Sequence, residues 1–178
     1  HLALNYRNRP VIGIVLIPER NEIWISNGNQ SWCENRKGIK KSHKLSNTRD
    51  LKKMIVVTSK NHRNEELHNL IQNIGFNRSL LMGSIGCKVS SILRGEADIF
   101  ISLSLPGKSA PKDWDFAAPE AILKQAGGAI TTLDNKELIY GKEGFKQEGL
   151  IIASNSKQNH ECICLEIKKI LKRSNINL

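Results

Sequence analysis

The feature that most constrains the fold is an alternation of strand-like and helix-like patterns from about residue 50 to residue 171. Short apolar runs predict strands, and apolar residues that recur every three to four positions predict amphipathic helices between them. This succession is typical of a mostly parallel sheet with helices on both faces. We predict strands at 54–58, 79–82, 99–105, 129–132 and 150–153, and helices at 67–74, 85–93 and 163–171. A further helix begins near Pro119, since proline is tolerated at a helix start, and ends at Gly127.

The first fifty residues have a different pattern. Residues 11–17 are apolar and residues 22–26 alternate, with turn residues between them, which predicts an antiparallel meander of two or three strands. A sheet of so few strands is only marginally stable by itself. We therefore expect these strands to form the end of a larger sheet. We predict that residues 1–50 are the C-terminal strands of an incomplete N-terminal α+β domain. Residues 51–178 are predicted to form a C-terminal α/β domain. A preceding segment is expected, because His1 already lies in a strand-like pattern.

The chain is basic, with a formal net charge of +10 from 27 Lys and Arg against 17 Asp and Glu. A basic surface attracts phosphate, in small metabolites or in nucleic acid. The densest cations are Lys37, Lys40, Lys41 and Lys44, but no aromatic residues are interleaved there to stack bases. Solvated surface is therefore the favoured interpretation. No membrane partner is predicted, because no apolar run approaches the ~20 residues of a membrane span.

The four cysteines are scattered and mostly lie within apolar patterns. This usage suits a reducing cytoplasm better than a disulfide framework, and a cytoplasmic location is predicted. The spacing of His160, Cys162 and Cys164 suggests zinc, but residues two apart on a helix point to different faces. A structural role is favoured for these three residues.

Three junctions between a predicted strand and the next helix carry residues suited to phosphate. They contain Ser59 and His62, then Gly83, Ser84 and Lys88, and finally Asp113 and Asp115. Glycine and serine let phosphate oxygens approach backbone N–H groups, while lysine and histidine supply positive charge. Each junction also has a simpler interpretation as a turn and helix cap, and none matches a Walker loop or a dinucleotide fingerprint. Their shared position after strands, where α/β sheets bind ligands, favours one common site.

The run from residue 114 to residue 128 resembles the second signature of the inositol monophosphatase superfamily of metal-dependent phosphatases. The resemblance covers nearly the whole chain and looks most like the 3′(2′),5′-bisphosphate nucleotidase branch. The residues that carry it are Trp114-Asp115-x-Ala117-Ala118-Pro119-Glu120, Ala126-Gly127-Gly128, Thr131, Gly83-Ser84, Lys88, Arg94-Gly95-Glu96-Ala97-Asp98, Ser59-x-x-His62 and Ala153-Ser154-Asn155.

The resemblance implies a layered α-β-α-β-α fold of the sugar-phosphatase type and an Mg²⁺-dependent phosphatase. The implied reaction removes the 3′-phosphate of adenosine 3′,5′-bisphosphate to give AMP. Asp115 is implied to bind Mg²⁺ and to lie beside the substrate. The other implied substrate-binding residues are Ser59, His62, Gly83, Ser84 and Lys88. The expected partner is a small phosphorylated substrate; no nucleic acid is expected, and a homodimer of the full-length protein is compatible with the resemblance.

The sequence departs from this family at the metal site. The family takes its other Mg²⁺ ligands from an upstream glutamate pair and an Asp-Pro-x-Asp-Gly-Thr segment. Neither Asp-Pro nor Asp-Gly occurs among the five aspartates Asp50, Asp98, Asp113, Asp115 and Asp134. One carboxylate cannot hold two ions ~3.5–4 Å apart, as two-metal phosphate chemistry requires. We therefore predict no complete catalytic set in this chain, which would be the C-terminal part of such a phosphatase and inactive alone.

Three alternatives stay open at this point. Ser102 lies where some nucleotidases of this kind have an arginine, which weakens the case for a nucleotide over an inositol or sugar phosphate. A non-catalytic basic protein could instead bind nucleic acid through residues 37–44, although this leaves the run at 114–128 unexplained. The third alternative is a degenerate reading frame with no role of its own.

Overall fold

The computed structural model describes residues 1–60 and 64–174, which contain two five-stranded sheets and four α-helices. Sheet A is entirely antiparallel, with its strands in sequential order. It has five strands where two or three were predicted, because short, exposed strands flank the apolar ones. The two-residue turn at Arg7 and Asn8 has positive φ at both residues (50° and 57°), as expected for a tight hairpin. The strands are β1 Leu2–Tyr6, β2 Arg9–Ile17, β3 Glu22–Ser26, β4 Ser31–Glu34 and β5 Lys40–Lys41.

Sheet B has the strand order β7-β6-β8-β10-β9. The sheet is mixed, whereas a mostly parallel sheet was predicted. Strand β6 is parallel to β7 and β8, but β10 is antiparallel to both β8 and β9. The sheet is mixed because a loop rather than a helix connects β9 to β10, so the chain returns antiparallel. The α/β class itself is confirmed. The strands are β6 Ile55–Ser59, β7 Arg78–Met82, β8 Ile99–Ser104, β9 Ala129–Thr132 and β10 Gly149–Ser154.

The four helices are α1 Glu65–Ile74, α2 Ile85–Leu93, α3 Asp113–Gln125 and α4 Lys157–Arg173. The predicted stop of α1 at Gly75 is confirmed by its left-handed conformation (φ 69°). Helix α3 begins earlier than Pro119 suggested, since the proline is its seventh residue. Pro119 lacks the N–H that would otherwise bond to the carbonyl of Asp115. The helix tolerates this loss within its second turn.

The elements form four layers. Helices α2 and α3 lie between the two sheets, where one core joins Val15 and Trp24 of sheet A to Val89, Phe116 and Phe100. A second core joins the opposite face of sheet B to α1 and α4. The other face of sheet A is uncovered in the described residues: Leu2 is 67% exposed and Leu16 60%.

The sheets divide at the predicted boundary near residue 50, but α3 packs directly on sheet A. At Gly13 of β2 an added Cβ would lie 2.5 Å from the carbonyl oxygen of Ala118 and 3.0 Å from Cβ of Ala121. Only glycine permits this approach. Arg94, after α2, also reaches sheet A and donates to Glu22 at 2.9 Å. The division into two domains stays a prediction.

No helix within residues 1–60 and 64–174 has both the length and the apolar character needed to cross a bilayer.

Candidate phosphate-binding and metal-binding site

A cavity of about 480 Å³ lies where β6, β7 and β8 lead into their following segments. Carboxyl ends of parallel strands meet at one edge of a sheet, and ligands commonly bind there. Five of the six site residues predicted from the sequence line this cavity. They are Ser59, Gly83, Ser84, Lys88 and Asp115. The sixth, His62, lies outside the described residues.

Lys88 is the buried cation of the cavity and is only 2% exposed. Its ammonium group donates to the carbonyl oxygen of Gly83 and lies 5.3 Å from the ring centroid of Phe100. Burial lowers the pKa of Lys88 to about 8, and the nearby Asp115 carboxylate acts in the opposite direction. A cation held in a poorly solvated cavity interacts strongly with an entering anion, because little water competes for it.

Ser84 begins helix α2, as the cap interpretation predicted. Its hydroxyl accepts the N–H of Gly86 at 3.1 Å and lies 3.2 Å from Nε2 of His1. The first N–H groups of a helix carry partial positive charge and favour anions. Gly83, immediately before, has open space around its Cα, so its backbone is accessible to a ligand. Capping and ligand binding are therefore compatible at this junction.

The two aspartates of α3 have different environments. Asp113 is buried, and its carboxylate accepts from the backbone of Gly141 at 2.7 Å and from Gln147 at 2.6 Å. Asp115 lines the cavity, and one of its oxygens accepts the N–H of Lys112 at 2.8 Å. Asp115 is thus partly a helix cap, while its other oxygen accepts no hydrogen bond from the residues that the structure describes.

The described residues do not complete a metal site. Asp115 is the one carboxylate among the cavity's described lining residues, and no group of three potential metal-binding side chains occurs within 1–60 and 64–174. Mg²⁺ is usually held by carboxylates and water, so Asp115 could supply one oxygen ligand.

His160, Cys162 and Cys164 do not come together as a set of metal ligands. His160 and Cys164 are buried and hydrogen-bonded to their neighbours, whereas Cys162 is exposed.

Three serines in the cavity were not predicted as site residues: Ser102, Ser104 and Ser109. Ser102 and Ser104 occupy alternate positions of β8 and share a face with Phe100, which packs against Phe116 of α3. This face of β8 packs its aromatic ring against a helix, so two serines on the same face could have indicated a polar cavity there. Exposed Lys60 also lines the cavity and follows β6 directly.

The basic run at 37–44 includes the short edge strand β5 and is exposed at its lysines. No aromatic residue is interleaved in this run, but Nζ of Lys40 lies 4.6 Å from the ring centroid of Trp32 on β4. Lys40 is also 3.8 Å from Glu34. Both contacts engage the ammonium group of Lys40.

Solved structures with this architecture identify the class of fold. The inositol monophosphatase of Thermotoga maritima matches with a TM-score of 0.70 and 20% identity, covering 96% of this chain and 61% of that one. CysQ of Bacteroides thetaiotaomicron, a bacterial member of the inositol monophosphatase family, gives a TM-score of 0.68 and 21% identity, covering 87% and 62%. At such identities the likeness establishes an inositol monophosphatase type of fold.

The family model for the inositol monophosphatase family matches residues 1–172, and the chain belongs to that family of generally metal-dependent phosphatases. The sequence is 27% identical over 154 residues to the 3′(2′),5′-bisphosphate nucleotidase CysQ of Shigella flexneri. That match covers 86% of this chain and 58% of CysQ, so the chain spans less than two thirds of this relative's length. The family resemblance predicted from the sequence is confirmed.

Proposed function

We propose that this chain carries the substrate-facing part of an Mg²⁺-dependent phosphomonoesterase that removes the 3′-phosphate of adenosine 3′,5′-bisphosphate. The observation that supports the proposal is a single cavity holding the Asp115 carboxylate and the buried Lys88 ammonium. Lys88 and the first N–H groups of α2 would bind the phosphate. Asp115 would supply an oxygen ligand to Mg²⁺, which polarises the phosphate when it is bound.

The choice of a nucleotide rests on the relatives named as 3′(2′),5′-bisphosphate nucleotidases. The volume of about 480 Å³ suits a ligand of that size. One observation favours an inositol or sugar phosphate instead: among the described lining residues there are five serines and no aromatic residue. Serine hydroxyls bind the hydroxyl groups of a polyol, whereas adenine is commonly stacked on an aromatic ring.

The catalytic set is proposed to be incomplete in this chain, because Asp115 is the one carboxylate in the described lining of the cavity. Several negative ligands are needed to hold catalytic Mg²⁺ and activate water. The chain should therefore bind phosphate esters without hydrolysing them. A cytoplasmic location is part of the proposal and is supported by four unpaired cysteines. A homodimer is a prediction from the resemblance alone.

Calorimetric titration of adenosine 3′-phosphate and inositol 1-phosphate, with and without Mg²⁺, tests the proposal. Mg²⁺ should strengthen the binding of adenosine 3′-phosphate to the native chain but not to Asp115→Asn, and Lys88→Met should weaken binding under both conditions. The matched controls are Asp134→Asn and Lys108→Met, which change the same charges outside the cavity.

Equal effects of the cavity variants and their controls would contradict this site. Tighter binding of inositol 1-phosphate than of adenosine 3′-phosphate would favour the polyol alternative. Mg²⁺-dependent release of phosphate from adenosine 3′,5′-bisphosphate, lost in Asp115→Ala, would refute the incomplete catalytic set.

A further inference from the structure

A second concave surface, the α4 groove, lies on the other helical layer of sheet B. It has a volume of about 580 Å³ and shares no lining residue with the cavity at Asp115. Its charged residues are Arg49, Lys52, Lys169, Arg173 and Glu166. The short 3-10 helix Leu51–Lys53 lines the groove and precedes β6, whereas Ser59 in the other cavity ends β6. The two sites therefore lie at different ends of this strand.

The groove is formed by one face of an amphipathic helix. Its residues on α4 are spaced three or four apart, which places them along one side. They are Cys162, Leu165, Glu166, Lys169, Ile170 and Arg173. The face of α4 that packs on sheet B is different and contains His160, Ile163, Cys164 and Ile167. Of the groove residues on α4, Ile170 also packs against the core, and the other five are outside it.

The cations of the groove form no ion pair with the residues that the structure describes. Within residues 1–60 and 64–174, none of Arg49, Lys52, Lys169 and Arg173 has a carboxylate oxygen within 4.0 Å. Neighbouring lysines outside the groove differ in this respect: Lys53 lies 4.0 Å from Asp50, and Lys168 lies 2.5 Å from Asp134. Four cations face one lining carboxylate, Glu166, so the groove concentrates positive charge.

We propose that the α4 groove binds a small anion that carries two or more phosphate groups. Arginine forks bind phosphate oxygens in pairs, and lysines act as point charges beside them. Several phosphates are required because a single one would leave most of the four cations unpaired. The described groove residues include no aromatic side chain to stack bases, which favours a small anion over single-stranded nucleic acid. This site is separate from the proposed substrate cavity and does not depend on it.

Charge reversal in the groove tests the proposal with inorganic tripolyphosphate as the probe. Lys52→Glu with Lys169→Glu should weaken binding by about tenfold or more. The control pair, Lys53→Glu with Lys172→Glu, makes the same change in net charge on the same two elements but outside the groove, and should weaken binding less than about twofold. All four lysines are exposed, so both variants should fold.

A second measurement uses the native chain. Cys162 is exposed and lines the groove. Saturating tripolyphosphate should slow the alkylation of Cys162 by iodoacetamide, measured by peptide mass spectrometry, whereas potassium chloride at the same ionic strength should not. The Lys88→Met variant should retain this protection, because the substrate cavity is not involved.

Three results would overturn the proposal. The first is equal loss of binding in the two charge-reversal pairs. The second is unchanged alkylation of Cys162, or protection that disappears in Lys88→Met. The third is protection of Cys162 by single-stranded RNA but not by tripolyphosphate, which would assign the groove to nucleic acid.

Discussion

Gln147 donates a hydrogen bond of 2.6 Å to one carboxylate oxygen of Asp113, while the N–H of Gly141 occupies the other oxygen at 2.7 Å. Asp113 therefore holds the loop before β10 against the first turn of α3. Asp115, two residues later, accepts one backbone N–H and lines the cavity. The first turn of α3 thus contains one aspartate that stabilises the fold and one that is available to a ligand.

Replacing these two aspartates by asparagine should affect stability differently. Asp113→Asn should lower the free energy of unfolding by roughly 1–3 kcal/mol, because an amide cannot accept from both donors. Asp115→Asn retains an oxygen for the N–H of Lys112 and should cost less than about 1 kcal/mol. Urea unfolding measures both values. Equal losses would mean that Asp115 is chiefly structural.

Phosphate binding should depend on pH through Lys88. The pKa of Lys88 in the free cavity is about 8, so the ammonium loses its proton above that value. Because a bound dianion favours the charged form, the affinity for adenosine 3′-phosphate should fall by up to about tenfold per pH unit from pH 8 toward pH 9.5. The Lys88→Met variant should bind weakly with no such dependence. An affinity of the native chain that is constant over this range would contradict the assignment.

The buried carboxylate of Glu120 connects α3 to sheet A. It lies 2.5 Å from the guanidinium of Arg9 and 2.5 Å from the hydroxyl of Tyr140. Arg9→Met should cost roughly 3 kcal/mol, because it removes the nearer of the two cations beside this buried carboxylate and leaves Lys124 at 3.7 Å. Adding Glu120→Gln should restore part of the loss, and thermal unfolding measures the three variants. Destabilisation that simply adds in the double variant would show that the pair is not coupled.

Gly13→Ala should separate α3 from sheet A. Its Cβ would meet the backbone of Ala118, which cannot move without shifting the helix, so a loss of at least about 2 kcal/mol is expected. Gly83→Ala is the matched control, because nothing lies within 4 Å of its added Cβ. Similar unfolding midpoints for the two variants would mean that α3 and sheet A can move apart at little cost, despite the close contact between Gly13 and Ala118.

Stability should decrease in acid through His160. Its ring nitrogens lie 2.6 Å from the hydroxyl of Ser154 and 2.7 Å from that of Thr131, and burial lowers its pKa to about 4. Between pH 6.5 and 4 the unfolded chain binds a proton that the folded chain does not, so stability falls as pH falls. The total is on the order of 3 kcal/mol.

His160→Gln should remove this contribution. Urea unfolding at several pH values measures the difference. The same acid dependence in native chain and His160→Gln would contradict a role for this imidazole.

Much of the fold was predictable because local patterns decide it. The stop of α1 at Gly75 and the strand over Ala129–Thr132 follow from backbone preferences and apolar spacing. The direction of β10 was not predictable in this way, since it depends on tertiary pairing with β8. The start of α3 was predicted too late because a proline was expected only in the first turn of a helix. An interior proline costs one hydrogen bond, and packing in the core can offset that loss.

The candidate site was predictable in its members but less so in their environments. Strand-to-helix junctions signalled Ser84, Lys88 and Asp115, which all line the cavity. The contrast between Asp113 and Asp115 depends on Gln147, a residue 34 positions away, and no local pattern reveals such a partner. The serines of β8 were missed because a polar residue in a strand is more often a solvent-facing one.

The uncovered face of sheet A has a calorimetric consequence. The heat capacity of unfolding reflects the apolar surface that becomes hydrated, and part of that surface, including Leu2 and Leu16, already contacts water in the folded chain. The heat capacity change of unfolding should therefore fall below the value of about 2.5 kcal/mol/K expected for an ordinary domain of this length. Any molecule that covers this face would raise that heat capacity change. It would also raise the dependence of the unfolding free energy on urea concentration, because both quantities scale with the surface exposed on unfolding.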